Sequence, residues 1–435
     1  IEADVNPMMF ERMGINATLQ SIDFGRLRDF RVSTVETMTK GLTGLLAHRG
    51  VTVFRGCAAL QNAHTVRVTP AEGETQVSRS VEAGVFEPVE TELAIDADDV
   101  VLATGSRPLA LPGNPFAGAL IDSTQALELN TLPSSAVIIG AGAVALEFAS
   151  LWNAAGCEVT LLIRKDRVLS TWERRASMTL TRELKRRGVN VIARTAVDRV
   201  DTGANLGATV HYRQGDSDED RTAYGEVVLA AIGRVPNTDA DWFRSSGLKL
   251  DERGYVTVDG YGRTNLDGVW ALGDITPGHA LAHRAFEQGI TIAEKIAGAD
   301  PKPVIDDTVP QVVFSFPEAA SVGLTLDQAK ALEDVVEPKE TAYPMLSNAR
   351  MLMSGEGGSM TVVSGAFANN PDMQVVLGVH IVSPIASDLI AEAEQLVGNR
   401  VPLADAARLI HPHPTFSETL GEALLKADGR PLHTR

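Results

Sequence analysis

The chain has 435 residues, of which 44% are hydrophobic and 22% are charged. This composition is typical of a globular protein, and the length predicts two to four domains. The net charge of −17 argues against nucleic acid or an anionic membrane as the main partner. No apolar run in the sequence reaches the roughly 18 residues of a membrane span, and no signal-peptide pattern opens it. Two distant cysteines, Cys57 and Cys157, have no metal-site or disulfide spacing, so we expect a reducing, cytoplasmic location.

The first hundred residues combine helical and β-type patterns. Apolar residues at helical spacing predict a helix through about residue 47, and the β-branched run 51–54 predicts a strand. Alternating polar sequence to about residue 97 predicts antiparallel hairpins. Residues 99–103 predict a buried strand that ends at Gly105, where a ligand can approach the backbone closely.

A strand–turn–helix pattern follows residue 133. The apolar run 136–139 predicts a parallel strand, and Gly140-x-Gly142-x-x-Ala145 opens a helix. The first glycine allows a tight turn, the second admits a pyrophosphate, and the small third residue lets helix and strand pack. The helix N-terminus adds free N–H groups. The pattern favours a dinucleotide site over a glycine turn without a ligand.

The second strand of this unit, residues 158–163, ends in basic residues. An NAD site would carry an acid here for the ribose 2′-hydroxyl, but the sequence has Arg164 and Lys165, and Asp166 comes only afterwards. A guanidinium suits a 2′-phosphate through charge-assisted hydrogen bonds. The sequence therefore predicts NADP(H) over NAD(H), with plain surface charges as the alternative.

The remaining elements alternate between α/β and mixed patterns. The acidic run 216–220 indicates a solvated hairpin, and two buried strands end at Gly233 and at Gly273-Asp274, whose carboxylate suits a polyol hydroxyl. The C-terminal part has an α+β pattern. The expected elements are helices 174–187, 281–297, 386–397 and 403–409, and strands 190–193, 227–232, 269–272, 311–315, 361–366 and 374–382.

A histidine and a carboxylate stand five positions apart near the C-terminus, at His413 and Glu418. The glutamate can accept a hydrogen bond from one ring nitrogen and fix the tautomer, which leaves the other nitrogen as a base near neutral pH. The alternative is an ordinary helix start with Pro414 in the first turn.

Together these motifs resemble the flavoprotein disulfide reductases, most closely their dihydrolipoamide dehydrogenase branch. The resemblance covers nearly the whole chain, from residues 101–108 through 140–147, 231–237, 272–274 and 311–323 to 411–418. It implies an α/β fold with Rossmann-like FAD and NAD(P) domains and a C-terminal α+β dimerisation domain. The implied division is residues 1–112 for the remainder of the FAD domain, 113–236 for NAD(P), 237–308 for a central domain and 309–435 for the interface domain.

The same resemblance implies roles for single residues. His413 is expected to be the base and Glu418 its orienting partner, with His411 as a bystander. The expected contacts to FAD or the pyridine nucleotide are Ala58, Thr104, Gly105, Ser106, Gly140, Ala141, Gly142, Ala143, Val144, Ala145, Leu146, Glu147, Ile163, Arg164, Lys165, Val197, Gly233, Asp274, Ala280, Leu281, Ala282 and His283.

The implied reaction passes electrons between NAD(P)H, FAD and a small dithiol or disulfide such as lipoamide. His413 of one subunit would act at the other subunit's flavin, so the partner is a second copy of the chain. The family's N-terminal FAD-binding βαβ unit and its Cys-x-x-x-x-Cys pair are missing, and the first residue is Ile1, so we expect a fragment. Three alternatives stay open: an NADPH-dependent glutathione- or mycothione-type reductase, a quinone reductase, and a dimeric nucleotide-binding chain without flavin or activity.

Overall fold

A computed structural model describes residues 13–16, 20–203 and 207–434 of the chain. Helices and strands are numbered in chain order. The helices are α1 Phe24–His48, α2 Ser123–Leu127, α3 Ala143–Ala154, α4 Arg174–Arg186, α5 Asp241–Ser245, α6 Ala282–Ile296, α7 Leu326–Ala331, α8 Ala349–Ser354, α9 Ala386–Gly398, α10 Leu403–Ala406 and α11 Glu418–Ala427. Short 3₁₀ turns lie at Gly273–Ile275, Asp306–Thr308 and Met345–Ser347.

The strands divide among several separate sheets. They are β1 Phe54–Arg55, β2 Cys57–Asn62, β3 Thr65–Thr69, β4 Ser78–Glu82, β5 Val85–Pro88, β6 Leu93–Asp96, β7 Val100–Leu102, β8 Ser106–Pro108, β9 Leu120–Ile121, β10 Ser135–Ile139, β11 Glu158–Ile163, β12 Asn190–Ala193, β13 Thr195–Thr202, β14 Ala208–Gln214, β15 Arg221–Gly225, β16 Val227–Ala230, β17 Arg234–Pro236, β18 Val269–Ala271, β19 Gln311–Val313, β20 Glu318–Gly323, β21 Val335–Tyr343, β22 Ser359–Phe367 and β23 Asn370–Ser383. The chain forms two compact units, one mainly of Pro108–Gly233 and Asp307–Arg435, the other of Asp23–Arg107 and Arg234–Asp306.

The first unit contains a parallel sheet in the order β12-β11-β10-β16-β9. From Ala136 to Ile139 strand β10 is apolar because both of its faces are buried: Ile138 lies in one core cluster and Val137 in another. Helix α3 packs on β11 and buries Leu146 and Trp152. The expected strand–glycine turn–helix order is therefore present, and the glycine turn lies at the carboxyl end of a central strand.

The same unit contains an antiparallel sheet in the order β19-β20-β23-β22-β21. Helix α9 packs on β20 and β23, and α11 packs on β21 and β22. Strands β20 and β21 were not predicted, because their sequences carry several small or charged residues that obscure a strand pattern. Helices α9 and α11 position the C-terminal histidine segment, which connects α10 to α11.

Two buried carboxylates connect the nucleotide-type fold of this unit to its antiparallel sheet. Glu183 on α4 and Glu356, between α8 and β22, are both 3% exposed. Arg186 bridges them, with Nε 2.6 Å from Glu183 and Nη2 2.9 Å from Glu356. Arg187 lies 2.8 Å from the other Glu356 oxygen. Because both carboxylates are buried, these ion pairs have to stay formed in the folded chain.

The second unit combines small sheets with three helices. Strands β7 and β18 pair in parallel, and antiparallel sheets have the orders β2-β3-β6 and β1-β4-β5. Its core contains Leu60, Phe243 and Ile275. Every residue of α1 is at least partly exposed, and Asp23 caps its first turn.

Some element predictions were wrong in detail. The run 51–54 contributes only Phe54 to a strand, since residues 51–53 precede β1 as coil. Strand β7 is not buried throughout, because Val101 is 41% exposed. The expected opening helix begins at Phe24, and part of the segment before it lies outside the described residues. The four-domain division stays a prediction. The two compact units combine segments of the predicted domains: 108–233 with 307–435, and 23–107 with 234–306.

Candidate active site and cofactor-binding surfaces

The turn before α3 is built almost entirely from backbone. Gly140 has φ +142°, and a Cβ there would lie 2.2 Å from the Ala231 carbonyl oxygen at the end of β16. Gly142 caps α3 without a side-chain cap, and a Cβ added to it would meet nothing within 4 Å. The result is an open surface in front of a helix N-terminus, which fits the pyrophosphate of a dinucleotide.

The predicted nucleotide residues of this turn divide into two groups. Gly140, Ala141, Gly142, Ala143 and Val144 are only partly buried or exposed, whereas Ala145 and Leu146 are fully buried in the core. The buried pair can therefore reach a ligand only through the backbone. The third small position of the motif does what the sequence predicts, since the Ala145 Cβ lies 3.4 Å from the Cβ position of Gly140.

Glu147 ties this helix to the segment after β19. Its Oε1 accepts a hydrogen bond from the Phe314 N–H at 3.0 Å. Burial raises the pKa of Glu147, and the hydrogen bond from Phe314 opposes that rise. One carboxylate oxygen of Glu147 is thus already engaged within the chain.

Basic side chains cluster where β11 and β12 end. Arg164 and Lys165 are exposed, and the Arg194 N–H donates to the Lys165 carbonyl at 3.0 Å. Arg194 is itself exposed and has φ +57°. Sequence reasoning missed Arg194, although its place directly after a strand next to the Arg164 strand was a usable signal. Arg167, in contrast, pairs with Asp166 at 2.9 Å.

Two predicted cofactor residues have side chains in the core. Ile163 is fully buried at the end of β11, so only its backbone faces the strand end. Val197 on β13 packs against a core cluster. Val197 is only partly buried there, and its predicted role stays a prediction. Gly233 is exposed and has φ +141° just after β16, and its carbonyl accepts the Leu109 N–H at 3.0 Å.

In the second unit, the predicted cofactor residues Ser106 and Asp274 lie together with Arg234, which was not predicted. Ser106 Oγ donates to Asp274 Oδ2 at 2.5 Å and accepts from Arg234 Nε at 2.7 Å. Thr104 and Asn237 exchange two hydrogen bonds, each 2.9 Å long. The arrangement fixes the Asp274 carboxylate at a glycine-lined strand end and leaves acceptor sites for hydroxyl groups of a polyol chain.

The remaining predicted FAD contacts lie on two elements of the same unit. Ala280 and Leu281 lead into α6, whose N-terminus at Ala282 and His283 has no side-chain cap from Leu281. Ala58 is exposed on β2. A helix N-terminus without a side-chain cap, Gly105 with open space at its Cβ position, and the fixed Asp274 fit the anionic and polyol parts of FAD.

His413 and Glu418 meet as predicted. His413 Nδ1 lies 2.8 Å from Glu418 Oε1, and Glu418 Oε2 accepts the Thr415 N–H at 2.8 Å. The His413 side chain is 77% exposed. Burial alone would raise the pKa of Glu418, but the hydrogen bonds from Thr415 and His413 hold it below its usual value. The carboxylate therefore stays ionised and fixes one ring nitrogen, so the ring can exchange a proton only at Nε2.

The alternative of an ordinary helix start is wrong for Pro414. Helix α11 begins at Glu418 with Ser417 as its N-cap, so Pro414 lies before the first turn. The loop is held by residues that the sequence did not indicate: Asn348 Nδ2 donates to the Thr415 carbonyl at 3.0 Å, and Glu392 bonds His411. Asn348 also caps α8, a pattern that marks it as structural but not as part of this site.

Residues 5–289 match the pyridine nucleotide-disulphide oxidoreductase family, and residues 309–424 match the dimerisation domain of that family. The chain belongs to this family. It is 35% identical over 428 residues to a dihydrolipoyl dehydrogenase of Geobacillus stearothermophilus, covering 97% of this chain and 84% of that protein. It is 33% identical over 427 residues to a dihydrolipoyl dehydrogenase of Bacillus subtilis, with the same two coverages.

Solved structures give the same result for this oxidoreductase. The crystal structure of LpdA from Mycobacterium tuberculosis matches with a TM-score of 0.81 and 26% identity, over 98% of this chain and 87% of that one. The flavoprotein disulfide reductase RclA from Escherichia coli matches with a TM-score of 0.77 at 23% identity, over 93% and 86% of the two chains, which supports the fold alone. The predicted family and α/β fold with a dimerisation domain are confirmed, and the family implies FAD and a pyridine nucleotide.

The two thiols of this oxidoreductase are both free. Cys57 is exposed on β2, and Cys157 is buried before β11. Burial, with Glu226 and Glu158 nearby, raises the pKa of Cys157 to about 12, so it stays a protonated thiol. Among the described residues, no helix is long and apolar enough to cross a membrane.

Proposed function

We propose that this oxidoreductase passes electrons between a pyridine nucleotide and a dithiol or disulfide, with dihydrolipoamide as the dithiol. The observation that carries the proposal is the His413–Glu418 pair at 2.8 Å, with the ring exposed. Such a pair suits a thiol substrate, because a thiol must lose its proton before it reacts as a nucleophile. The dihydrolipoyl dehydrogenases among its relatives support the choice of substrate.

The reaction balances with one proton for the histidine. Dihydrolipoamide loses two electrons and two protons; NAD(P)⁺ takes both electrons and one proton. His413 accepts the remaining proton at Nε2 and releases it to water, and Glu418 stabilises the imidazolium from the Nδ1 side. FAD, when bound, supplies a two-electron carrier between dithiol and nicotinamide. Asp274, fixed by Ser106, and the N-terminus of α6 would hold it.

We place this site between two copies of the chain. Residues 309–424 are the family's dimerisation domain and carry His413 on an exposed loop. An exposed base alone is poorly shielded from water, whereas a partner subunit would supply the flavin side of the site and exclude water. A cytoplasmic location, inferred from two free thiols, is part of the same proposal.

His413→Gln tests the assignment of the base. We expect it to lower kcat for dihydrolipoamide oxidation about 10²- to 10⁴-fold, the usual contribution of a general base. NAD(P)H oxidation by ferricyanide, which needs no thiol proton transfer, should change little. The matched control is His433→Gln, since His433 also pairs with a glutamate at 2.8 Å on an exposed surface.

Two results would contradict the base assignment. Equal loss of both activities means that His413 is structural, and loss of neither means that thiol chemistry does not use it. In the second case, reduction of a quinone by NAD(P)H at the wild-type rate would favour the quinone reductase instead.

We also propose that the nucleotide is NADP(H). Arg164, Lys165 and Arg194 form an exposed basic cluster at the ends of β11 and β12, where the sheet would place the adenosine ribose. A 2′-phosphate offers several acceptors to guanidinium forks, whereas an NAD site needs an acceptor for the 2′-hydroxyl. Backbone contact between Arg194 and Lys165 holds two of the three residues side by side.

Arg164→Glu tests the nucleotide choice. Since a hydrogen bond to a charged group contributes about 1.5–3 kcal/mol, KM for NADPH should rise at least tenfold while KM for NADH stays within about threefold. Arg26→Glu makes the same change of charge at an exposed residue of the other compact unit and should alter neither constant. Equal effects of Arg164→Glu on both nucleotides would refute NADP(H).

A further inference from the structure

The first histidine of the C-terminal motif has a defined place in the fold. His411 Nε2 lies 2.9 Å from Glu392 Oε1, which extends from α9. The His411 side chain is 9% exposed, and that of Glu392 is 35% exposed. His413, only two residues later, is 77% exposed. The motif thus has one histidine anchored inside the domain and one presented to the outside.

Helix α11 leaves room for the His411 ring at one position. A Cβ on Gly421 would lie 2.4 Å from His411 Nδ1 and 2.8 Å from its Cε1. Gly421 is buried within α11, where glycine costs about 1 kcal/mol relative to alanine. The ring is therefore enclosed between α9 and α11, and the helix contains a weak helix former at the point of contact.

Charged groups of both helices act on this ring. The hydrogen bond to Glu392 is the main reason that the pKa of His411 is raised; burial opposes it, and the charges of Glu392 and Glu418 add to the rise. Glu392 bonds the ring from α9, the Leu409 backbone adds a hydrogen bond that also raises the pKa, and Glu418 at the start of α11 acts through its charge alone. The imidazolium form is thus stabilised by the same carboxylate that orients His413.

The other end of the loop is held separately. The Thr415 N–H donates to Glu418 Oε2, and the Thr415 carbonyl accepts from Asn348. These contacts fix the backbone after His413, whereas His411 fixes it before. The base lies between two anchored points, which restricts where its ring can stand relative to Glu418.

We propose that His411 is a positioning residue, which holds the loop through Glu392 so that His413 stays bonded to Glu418 in one tautomer. The inference rests on the proposed role of His413 as the base and replaces the expectation that His411 is a bystander. Neither His411 nor Glu392 touches the substrate in this role. Loss of their bond should act on proton transfer through His413 and leave cofactor reduction alone.

Paired substitutions separate the hydrogen bond from simple packing. His411→Leu and Glu392→Leu remove the bond, whereas His411→Gln keeps a donor at the Nε2 position and Glu392→Gln keeps an acceptor. We expect the leucine variants to lower kcat for dihydrolipoamide about tenfold or more, because small misplacements of a catalytic group have effects of this size. The glutamine variants should stay within about threefold of wild type, and ferricyanide reduction should be unchanged in all four.

A second readout does not depend on turnover. In protein labelled with ¹⁵N-histidine, the ring nitrogen shifts of His413, assigned from its loss in His413→Gln, should report a single Nδ1–H tautomer in wild type. The leucine variants should give mixed tautomers, and Gly421→Ala should do the same by displacing the His411 ring. His433→Leu, which breaks the exposed pair with Glu422, should leave the His413 signal unchanged.

The outcomes distinguish this inference from the proposed function. Wild-type tautomer signals in all His411 and Glu392 variants overturn it, as does an equal loss of ferricyanide activity or of folded protein in leucine and glutamine variants alike. If His413→Gln leaves dithiol oxidation intact, the proposed base falls, yet mixed tautomers in the leucine variants would still establish His411 as the anchor of the loop.

Discussion

The turn at Gly140 and the loop at His413 are two sites of one compact unit with opposite construction. The turn presents backbone. It depends on Gly140, which has no Cβ to clash with the Ala231 carbonyl, and on the open space at Gly142. The loop presents a side chain, and its geometry depends on hydrogen bonds that Glu418 and Glu392 accept and on one that Asn348 donates. A site made of backbone is fixed by local conformation, whereas a site made of side chains is only as well placed as its supports.

The difference predicts unlike responses to mutation. At the turn, adding one methyl group should destroy function through sterics, and no conservative replacement can restore it. At the loop, substitutions should be graded, with partial function wherever a hydrogen bond survives. The following changes test that contrast, from the largest expected effect to the smallest.

Gly140→Ala should have the largest effect. Its Cβ would lie 2.2 Å from the Ala231 oxygen at φ +142°, so β16 or the turn must move. We expect loss of nucleotide binding by more than about 100-fold, or loss of folded protein, measured by nucleotide titration and by thermal unfolding. Gly142→Ala is the matched control for folding: its Cβ meets nothing, so the melting temperature should hold while nucleotide binding weakens. Wild-type binding by Gly140→Ala would contradict a backbone-built site.

Glu356→Ala tests the buried ion-pair network that joins the nucleotide-type fold to the antiparallel sheet. It leaves Arg186 and Arg187 without a buried carboxylate that lies 2.9 and 2.8 Å from them. Breaking a buried pair in this way costs about 3–5 kcal/mol of unfolding free energy. Urea unfolding measures it, with Glu87→Ala as the control, since the exposed pair with Arg79 should contribute under about 1 kcal/mol. Similar losses in both variants would mean that the buried network adds nothing particular.

The contrast also explains which parts of the site the sequence could predict. The Gly140 turn is continuous in sequence, and each position has one steric reason, so the motif predicted both its place and its ligand class. The His413–Glu418 pair is equally local. Glu392 and Asn348 lie 19 and 67 residues before their partners, and only the antiparallel sheet brings them to the loop. Part of that sheet, β20 and β21, carries too weak a strand pattern to predict.

Asn348→Asp tests the far anchor of the loop. The aspartate keeps an oxygen to accept the Met351 N–H and cap α8, but it cannot donate to the Thr415 carbonyl. We expect a loss of about 1–3 kcal/mol in unfolding free energy, because the half-buried Thr415 carbonyl loses its donor and a carboxylate replaces an amide at the buried position 348. Dithiol oxidation should fall several-fold while ferricyanide reduction persists. Asn399→Asp, which changes an exposed amide at the end of α9, is the control, and parallel effects on both activities would exclude a role in the loop.

His380 sharpens the comparison through pH, because it lies buried in the same sheet that supports the exposed His413. Its Nδ1 accepts from Ser321 at 2.7 Å, and its Nε2 donates to the Leu324 carbonyl at 3.2 Å, which fits a neutral ring. Burial lowers the pKa of His380, so below about pH 6.5 the unfolded chain binds a proton that the folded chain does not. The free energy of unfolding should therefore fall as the pH falls below about 6.5, by at most about 1.4 kcal/mol per pH unit from this residue.

Urea unfolding midpoints measured from pH 7.5 to 5.5 test this effect. In His380→Gln the midpoint should depend less steeply on pH than in wild type. In His411→Gln the midpoint should depend more steeply on pH, because the raised pKa of His411 adds stability below pH 6.5 that is lost as pH rises. Equal slopes of midpoint against pH in the two variants would contradict these signs.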